Sequence, residues 1–233
     1  MLGQGLEYNV DIVMCIDATG SMSSAIAMAK ENALSFHEKL VEAMEASMKN
    51  VGQLRIKVIV FRDYGCDPEP MTESVFFELP AQNVEFKNFV EKITVSGGGD
   101  GPENALEAIA LALKSDWTTT GSKRRHIILV YTDNEALELG ARAGSKQYPA
   151  DMPKDLAQLG AWWEKTDQTF ISNFQPDAGR LVVFAPRVYP WNEEGIEVWN
   201  RVTLAETAAG GGMGDIVFEE ILDKLVSSIV KRF

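Results

Sequence analysis

Two nearly unbroken apolar runs, each ending in a cluster of oxygen-bearing residues, constrain this chain more than any other feature. The first, Val10, Ile12, Val13, Met14, Cys15 and Ile16, is followed by Asp17, Thr19 and Ser21. The second, His126–Tyr131, is followed by Thr132, Asp133, Asn134 and Glu135. Strands apolar on both faces belong inside a parallel sheet covered by helices on each side. In open α/β sheets, ligands bind beyond the carboxyl ends of such strands. Asp17, Thr19 and Ser21 stand at i, i+2 and i+4, with Gly20 between the hydroxyl residues. One carboxylate and two hydroxyls on a tight turn are hard oxygen donors, suited to a small hard cation such as Mg²⁺.

The remaining pattern alternates strands with helices. A helix is predicted over Ser21–Met48, with Ile26, Ala29, Ala33, Phe36, Leu40 and Met44 as its apolar stripe and Ser21 as its N-cap. Leu54–Arg62 reads as a strand, DYGCDPEP as a turn, Thr72–Leu79 as a short edge strand and Asn83–Ile93 as a helix. The loop Ser96–Asn104, SGGGDGPEN, lets backbone approach a ligand closely and places Asp100 beside Gly99, with Pro102 set to open the next helix. That helix ends before Trp117. Further along come a helix over Asp155–Lys165, a strand over Arg180–Ala185, and a loop with a short helix over Pro190–Trp199. A brief strand over Arg201–Leu204, a glycine-rich loop over Ala209–Gly214 and a closing helix over Asp215–Lys231 complete the chain. The expected fold is therefore α/β: a Rossmann-like, mostly parallel sheet with one antiparallel edge strand and helices on both faces. If the two apolar strands are neighbours, Asp17, Asp100 and Asp133 converge on one rim.

The 233 residues show no linker and no shift in composition, so a single domain over 1–233 is expected. A formal charge of −12 argues against nucleic acid and anionic membranes as direct partners, and it favours cations. Cys15 lies in a strand and Cys66 in a polar loop, with no disulfide or zinc spacing, so reduced thiols in a cytoplasm are the expectation. The chain opens on no basic-then-apolar leader, and no run approaches the roughly 20 apolar residues of a membrane span. His37 and His126 read as structural, and the tryptophans as mostly packing. Trp162 and Trp163 cannot both face the core from one helix, which makes one of them a candidate for a partner surface.

Asp17-Ala-Thr19-Gly-Ser21-Met, the glycine–aspartate loop at Asp100 and the Thr132-Asp133 turn together resemble the von Willebrand factor A domain, over nearly the whole chain. FRDYG at Phe61–Gly65, and YPADMP before a tryptophan-bearing helix, are similar to bacterial intracellular members. The resemblance implies a metal-ion-dependent adhesion site that holds Mg²⁺ or Mn²⁺, whose shell is completed by an acidic side chain of a partner protein. Carried over by position, Asp17, Thr19 and Ser21 form the first loop and Asp133 the third. The second loop departs from the family pattern, with Gly99-Asp100 where many members have Thr. With three ionised carboxylates a divalent ion leaves the site near −1, a weaker attractor for an acidic partner than a neutral site. By analogy, partners would be kinases, phosphatases or ATPases of one pathway, including stress-response systems.

Other readings compete with this one. Ordinary helix capping would suffice for Asp17, Thr19 and Ser21, as it would in a metal-free scaffold. A Mg²⁺-dependent phosphohydrolase would use Asp17 as nucleophile, but it commonly needs a second carboxylate two residues on. Thr19 stands there, and no lysine is placed to hold a phosphoryl group. No catalytic residue is assigned, and the expectation is a binding module.

Overall fold

The computed structural model describes residues 7–97, 101–210 and 217–231. Its seven-stranded sheet has β1 (Glu7–Asp17) near the centre, with β2 (Asn50–Phe61) and β5 (Lys123–Tyr131) parallel on either side. β6 (Gly179–Ala185) and β7 (Val202–Glu206) continue the parallel order beyond β5. On the opposite edge, β3 (Met71–Glu73) and β4 (Phe77–Leu79) run antiparallel to β2. The edge strand expected over Thr72–Leu79 is thus broken in two. Ser74 explains the break, because its Oγ accepts from the Val58 N–H at 2.9 Å, so a side chain intervenes in the ladder.

Alternation along β1 divides the core. Val10, Ile12, Met14 and Ile16 face one side, where they meet α1 (Ser23–Asn32), α2 (Phe36–Ala46), α3 (Asn83–Glu91) and α6 (Phe218–Val230). Val13 and Cys15 face the other, against α4 (Ala105–Leu113) and α5 (Leu156–Trp163). Each such aliphatic side chain taken out of water contributes about 1.5–3 kcal/mol. This is the α/β arrangement expected from the continuous apolar runs.

The single helix expected over Ser21–Met48 is two helices. Asn32 Nδ2 donates to the Met28 carbonyl at 2.9 Å, Ser35 Oγ to the Asn32 carbonyl at 3.3 Å, and Lys39 Nζ to Asn32 Oδ1 at 3.1 Å. Short polar side chains here compete for the backbone groups a continuous helix would use. Ala33, Phe36, Leu40 and Met44 still share the buried stripe across the break, so periodicity alone could not reveal it.

Trp162 and Trp163 are both buried, which corrects the expectation that one faces a partner. Trp163 packs on Phe174, with ring centroids 5.1 Å apart, and its Nε1 donates to the Asn200 carbonyl at 2.9 Å. Trp162 stacks on Phe170 at 4.3 Å and donates to Asp167 at 3.2 Å. Chain just after α5 folds over the helix and gives each indole its own cover.

His126 is structural, as expected. It is fully buried, stacked on Trp117, with Nδ1 accepting from the Gln175 N–H and Nε2 facing the Thr118 carbonyl at 3.0 Å. That pattern fits a neutral ring protonated on Nε2, and burial lowers its pKa from 6.5 to about 4. The unfolded chain therefore binds the extra proton first, and stability falls as pH drops from about 6.5 through about 4. In urea unfolding at stepped pH, His126→Gln is expected to remove up to about 3 kcal/mol of this acid sensitivity. An identical pH slope in parent and variant would refute it.

Candidate metal centre

β1 and β5 are neighbours in register, Ile16 opposite Tyr131, so the turns that follow them start side by side. Asp17 is the last residue of β1 and is fully buried. Its Oδ1 accepts from the Thr19 N–H at 2.9 Å and the Thr19 hydroxyl at 2.7 Å, and its Oδ2 accepts from the Thr132 hydroxyl at 2.8 Å. The Ser21 hydroxyl donates to Asp133 Oδ1 at 3.1 Å, across 112 positions of sequence. Ser21 does not cap the helix; it sits in a 3₁₀ turn over Gly20–Met22, directed to the other loop.

These bonds orient the donors in a definite way. A hydroxyl has one hydrogen and two lone pairs. Thr19, Ser21 and Thr132 each give that hydrogen to a carboxylate, which leaves oxygen lone pairs to face a cation, although Thr132 Oγ1 also accepts from the Asn134 N–H at 3.3 Å. Thr19, Thr132 and Asp133 are buried, whereas Gly20 and Ser21 are exposed, so the cluster opens to solvent on the Ser21 side. Burial raises the Asp17 pKa above 3.8; the Thr19 and Thr132 hydrogen bonds pull it down, and the Asp133 charge pushes it up again. A cation placed between the two carboxylates would relieve both the burial and the repulsion. Among the described residues no three His, Cys, Asp or Glu side chains cluster as a metal site. The donor set is instead two carboxylates with three hydroxyls, all oxygen, which fits a hard divalent ion rather than a zinc-type one.

The loop between α3 and α4 is tied to both turns. Ser96 N–H donates to the Ala18 carbonyl at 3.0 Å, and Gly20 N–H to the Gly97 carbonyl at 3.3 Å. From its other end, the Gly101 carbonyl accepts from Asn134 Nδ2 at 3.2 Å. Asp100 itself lies outside the described residues, as does most of the glycine-rich loop expected over Ala209–Gly214. Gly97 has φ +78°, and a Cβ there would meet Asp67 Oδ1 at 2.1 Å, so only glycine fits this approach. Gly97→Ala, which touches no donor atom, is expected to weaken metal binding roughly tenfold by displacing the loop, as read by calorimetry; unchanged affinity would show the loop to be irrelevant. α4 begins at Ala105, not at Pro102. Glu103 instead forms a parallel bridge to Ala136, and its carbonyl accepts from the Leu137 N–H, joining this loop to the one after β5.

Sequence reading missed the supports of this rim. In the sequence Thr132 reads only as part of a turn, yet its hydroxyl locks Asp17 across the sheet. Trp191 Nε1 donates to the Asn134 carbonyl at 2.9 Å, and Gly210 N–H to the Asp133 carbonyl at 2.8 Å. In FRDYG, Asp63 makes a two-bond fork with Arg142 at 2.7 and 2.6 Å, which holds the turn after β2 against the loop after β5. No local pattern announces these partners, which lie tens of residues apart.

The von Willebrand factor A domain family model matches residues 11–141, more than half of the chain, and the chain belongs to that family. It is a module that commonly mediates protein interactions. Solved structures agree at the level of the fold. The pilus adhesin SpaC from Lactobacillus rhamnosus GG matches with a TM-score of 0.53 at 9% identity, over 97% of this chain and 32% of the adhesin. A von Willebrand factor type A protein from Catenulispora acidiphila matches with a TM-score of 0.51 at 13% identity, over 96% of this chain and 43% of that one. The chain thus spans less than half the length of either. None of the curated proteins matches significantly. Among the described residues, no helix is long and apolar enough to cross a membrane.

Proposed function

We propose that this chain is a metal-dependent protein-binding module. In this reading Thr19 and Ser21 coordinate Mg²⁺ or Mn²⁺ directly, while Asp17, Asp133 and Asp100 coordinate directly or through water. An acidic side chain of a partner protein completes the shell, with a kinase, phosphatase or ATPase as the partner class suggested by family analogy. The single observation that carries the reading is the Ser21–Asp133 hydrogen bond beside the Asp17–Thr19–Thr132 cluster. It joins the two oxygen-rich turns into one all-oxygen pocket that opens at an exposed serine. When bound, the cation would give a partner carboxylate a directional anchor. This chain's own residues hold the hydroxyls in place and keep the carboxylates dry.

The phosphohydrolase alternative finds little support. Both Asp17 oxygens accept hydrogen bonds from neighbouring residues, and the side chain is fully buried, so it presents no open nucleophile. We therefore propose a non-enzymatic role, in a reducing cytoplasmic setting compatible with Cys15 and Cys66 not being joined in a disulfide. Calorimetric titration with Mg²⁺ and Mn²⁺ tests the site. Ser21→Ala is expected to lower affinity roughly tenfold or more, the scale seen even for groups one step removed from a metal. No heat at millimolar metal, or affinity unaltered by Ser21→Ala, would refute the proposal. Partner capture with and without a chelator then tests whether the ion serves binding.

A further inference from the structure

Arg62, the residue just beyond β2, is 4% exposed. Its Nη1 donates to the Glu69 carbonyl at 2.8 Å and its Nη2 to the Thr94 carbonyl at 2.5 Å, while Nε has no partner among the described residues. Nor does any carboxylate there pair with this guanidinium. Neutral carbonyls satisfy hydrogen bonds but do not neutralise a charge, so among the described residues the group is a buried cation without a counter-ion. Arg55 and Arg142 have counter-ions in the fold, Asp11 and Asp63, whereas Arg124 and Arg125, which lie outside this groove, resemble Arg62 in donating to uncharged oxygens.

Arg62 also lines a groove of about 230 Å³ between the β3 edge and α3. Lys92 reaches the same groove and likewise makes no ion pair among the described residues. Thr72 and Thr94 also lie on the lining, and Phe89 with Ile93 forms an apolar wall. Glu69 is the one carboxylate on the lining, and it is exposed and pairs with neither cation. The groove is below the size of pockets that enclose drug-sized ligands. Two cations with no carboxylate partner among the described residues, set beside an apolar wall, define the occupant by chemistry: a compact anion with a hydrocarbon body.

We propose that this groove binds a small organic carboxylate, its charged end on Arg62 and Lys92 and its body against Phe89 and Ile93. Nη1 and Nη2 each keep one N–H beyond their carbonyl bonds, and these are the hydrogens left for a carboxylate. This site is separate from the metal centre and does not depend on it.

The test uses the full chain in chelator, so that a failed metal site has no bearing on the result. Hexanoate, hexanol and inorganic phosphate are titrated while the side-chain Nε–H resonance of Arg62 is followed by NMR. Hexanoate is expected to shift that resonance saturably, with hexanol and phosphate at least tenfold weaker. Lys92→Glu changes an exposed residue and is expected to weaken hexanoate at least tenfold with the fold intact. Absence of saturable shift, equal response to hexanol, equal affinity for phosphate, or indifference to Lys92→Glu would each overturn the assignment.

Discussion

Asp17→Asn is expected to leave the chelator-treated protein at least as resistant to urea as the parent, while lowering Mg²⁺ affinity roughly 100-fold or more. Burial raises the Asp17 pKa above its unfolded value of 3.8, the neighbouring Asp133 charge adds to the rise, and the Thr19 and Thr132 bonds only partly offset it. The sign follows from linkage. A carboxyl whose folded pKa is raised weakens the fold when ionised at neutral pH, and that penalty fades as pH falls through the folded value. Asparagine removes the penalty and keeps the shape. Its amide oxygen can accept from Thr19 N–H and Oγ1, and its Nδ2 can donate to Thr132 Oγ1, which turns to accept. What is lost is the negative charge that a divalent ion needs. Urea unfolding in chelator and calorimetry with Mg²⁺ read the two halves separately. A variant that unfolds earlier than the parent in chelator would show the carboxylate to be a structural element; full metal affinity would remove Asp17 from the site.

That opposition between stability and binding also separates what could be read from sequence from what could not. A continuous apolar run demands burial on both faces, so β1, β5 and β6 were legible, and with them the parallel sheet. Once those strands are adjacent, the Asp17 and Asp133 turns must meet, and Ser21 with Asp133 confirms that they do. The break after Asn32 was not legible, because the buried stripe runs on through it. The pairing of Trp162 with Phe170 was equally hidden. Nothing in the sequence of α5 says that later chain will return to cover its outer face. Asp11, in the middle of the first apolar run, is the sharpest case. A carboxylate there makes sense only with Arg55, which is 44 positions away.

Asp11→Ala is expected to destabilise the protein by about 3–5 kcal/mol, the cost of breaking a buried ion pair from one side. Asp11 is fully buried on β1, and its two oxygens accept from Arg55 Nε at 2.8 Å and Arg55 Nη2 at 2.6 Å. Oδ2 also accepts from the Thr118 N–H at 2.6 Å. Alanine therefore strands a mostly buried guanidinium, held over Phe76 at 4.6 Å, and leaves a buried backbone donor unmatched. Glu73→Ala, which breaks the more exposed Lys57 pair, is expected to cost under about 1 kcal/mol. In urea unfolding the contrast should be plain, because total stability for a domain is only about 5–15 kcal/mol. Asp11→Ala combined with Arg55→Met should recover part of the loss, since an apolar pair needs no counter-charge. A cost for Asp11→Ala no larger than that for Glu73→Ala would mean that Arg55 finds water instead. Asp11 and Asp17 stand six residues apart on one strand, about 20 Å. The ion pair fixes one end of β1 while the hydroxyl–carboxylate cluster fixes the other. Asp11→Ala protein that stays folded should therefore bind Mg²⁺ as the parent does, whereas Asp17→Asn protein should stay folded and bind it roughly 100-fold or more weakly.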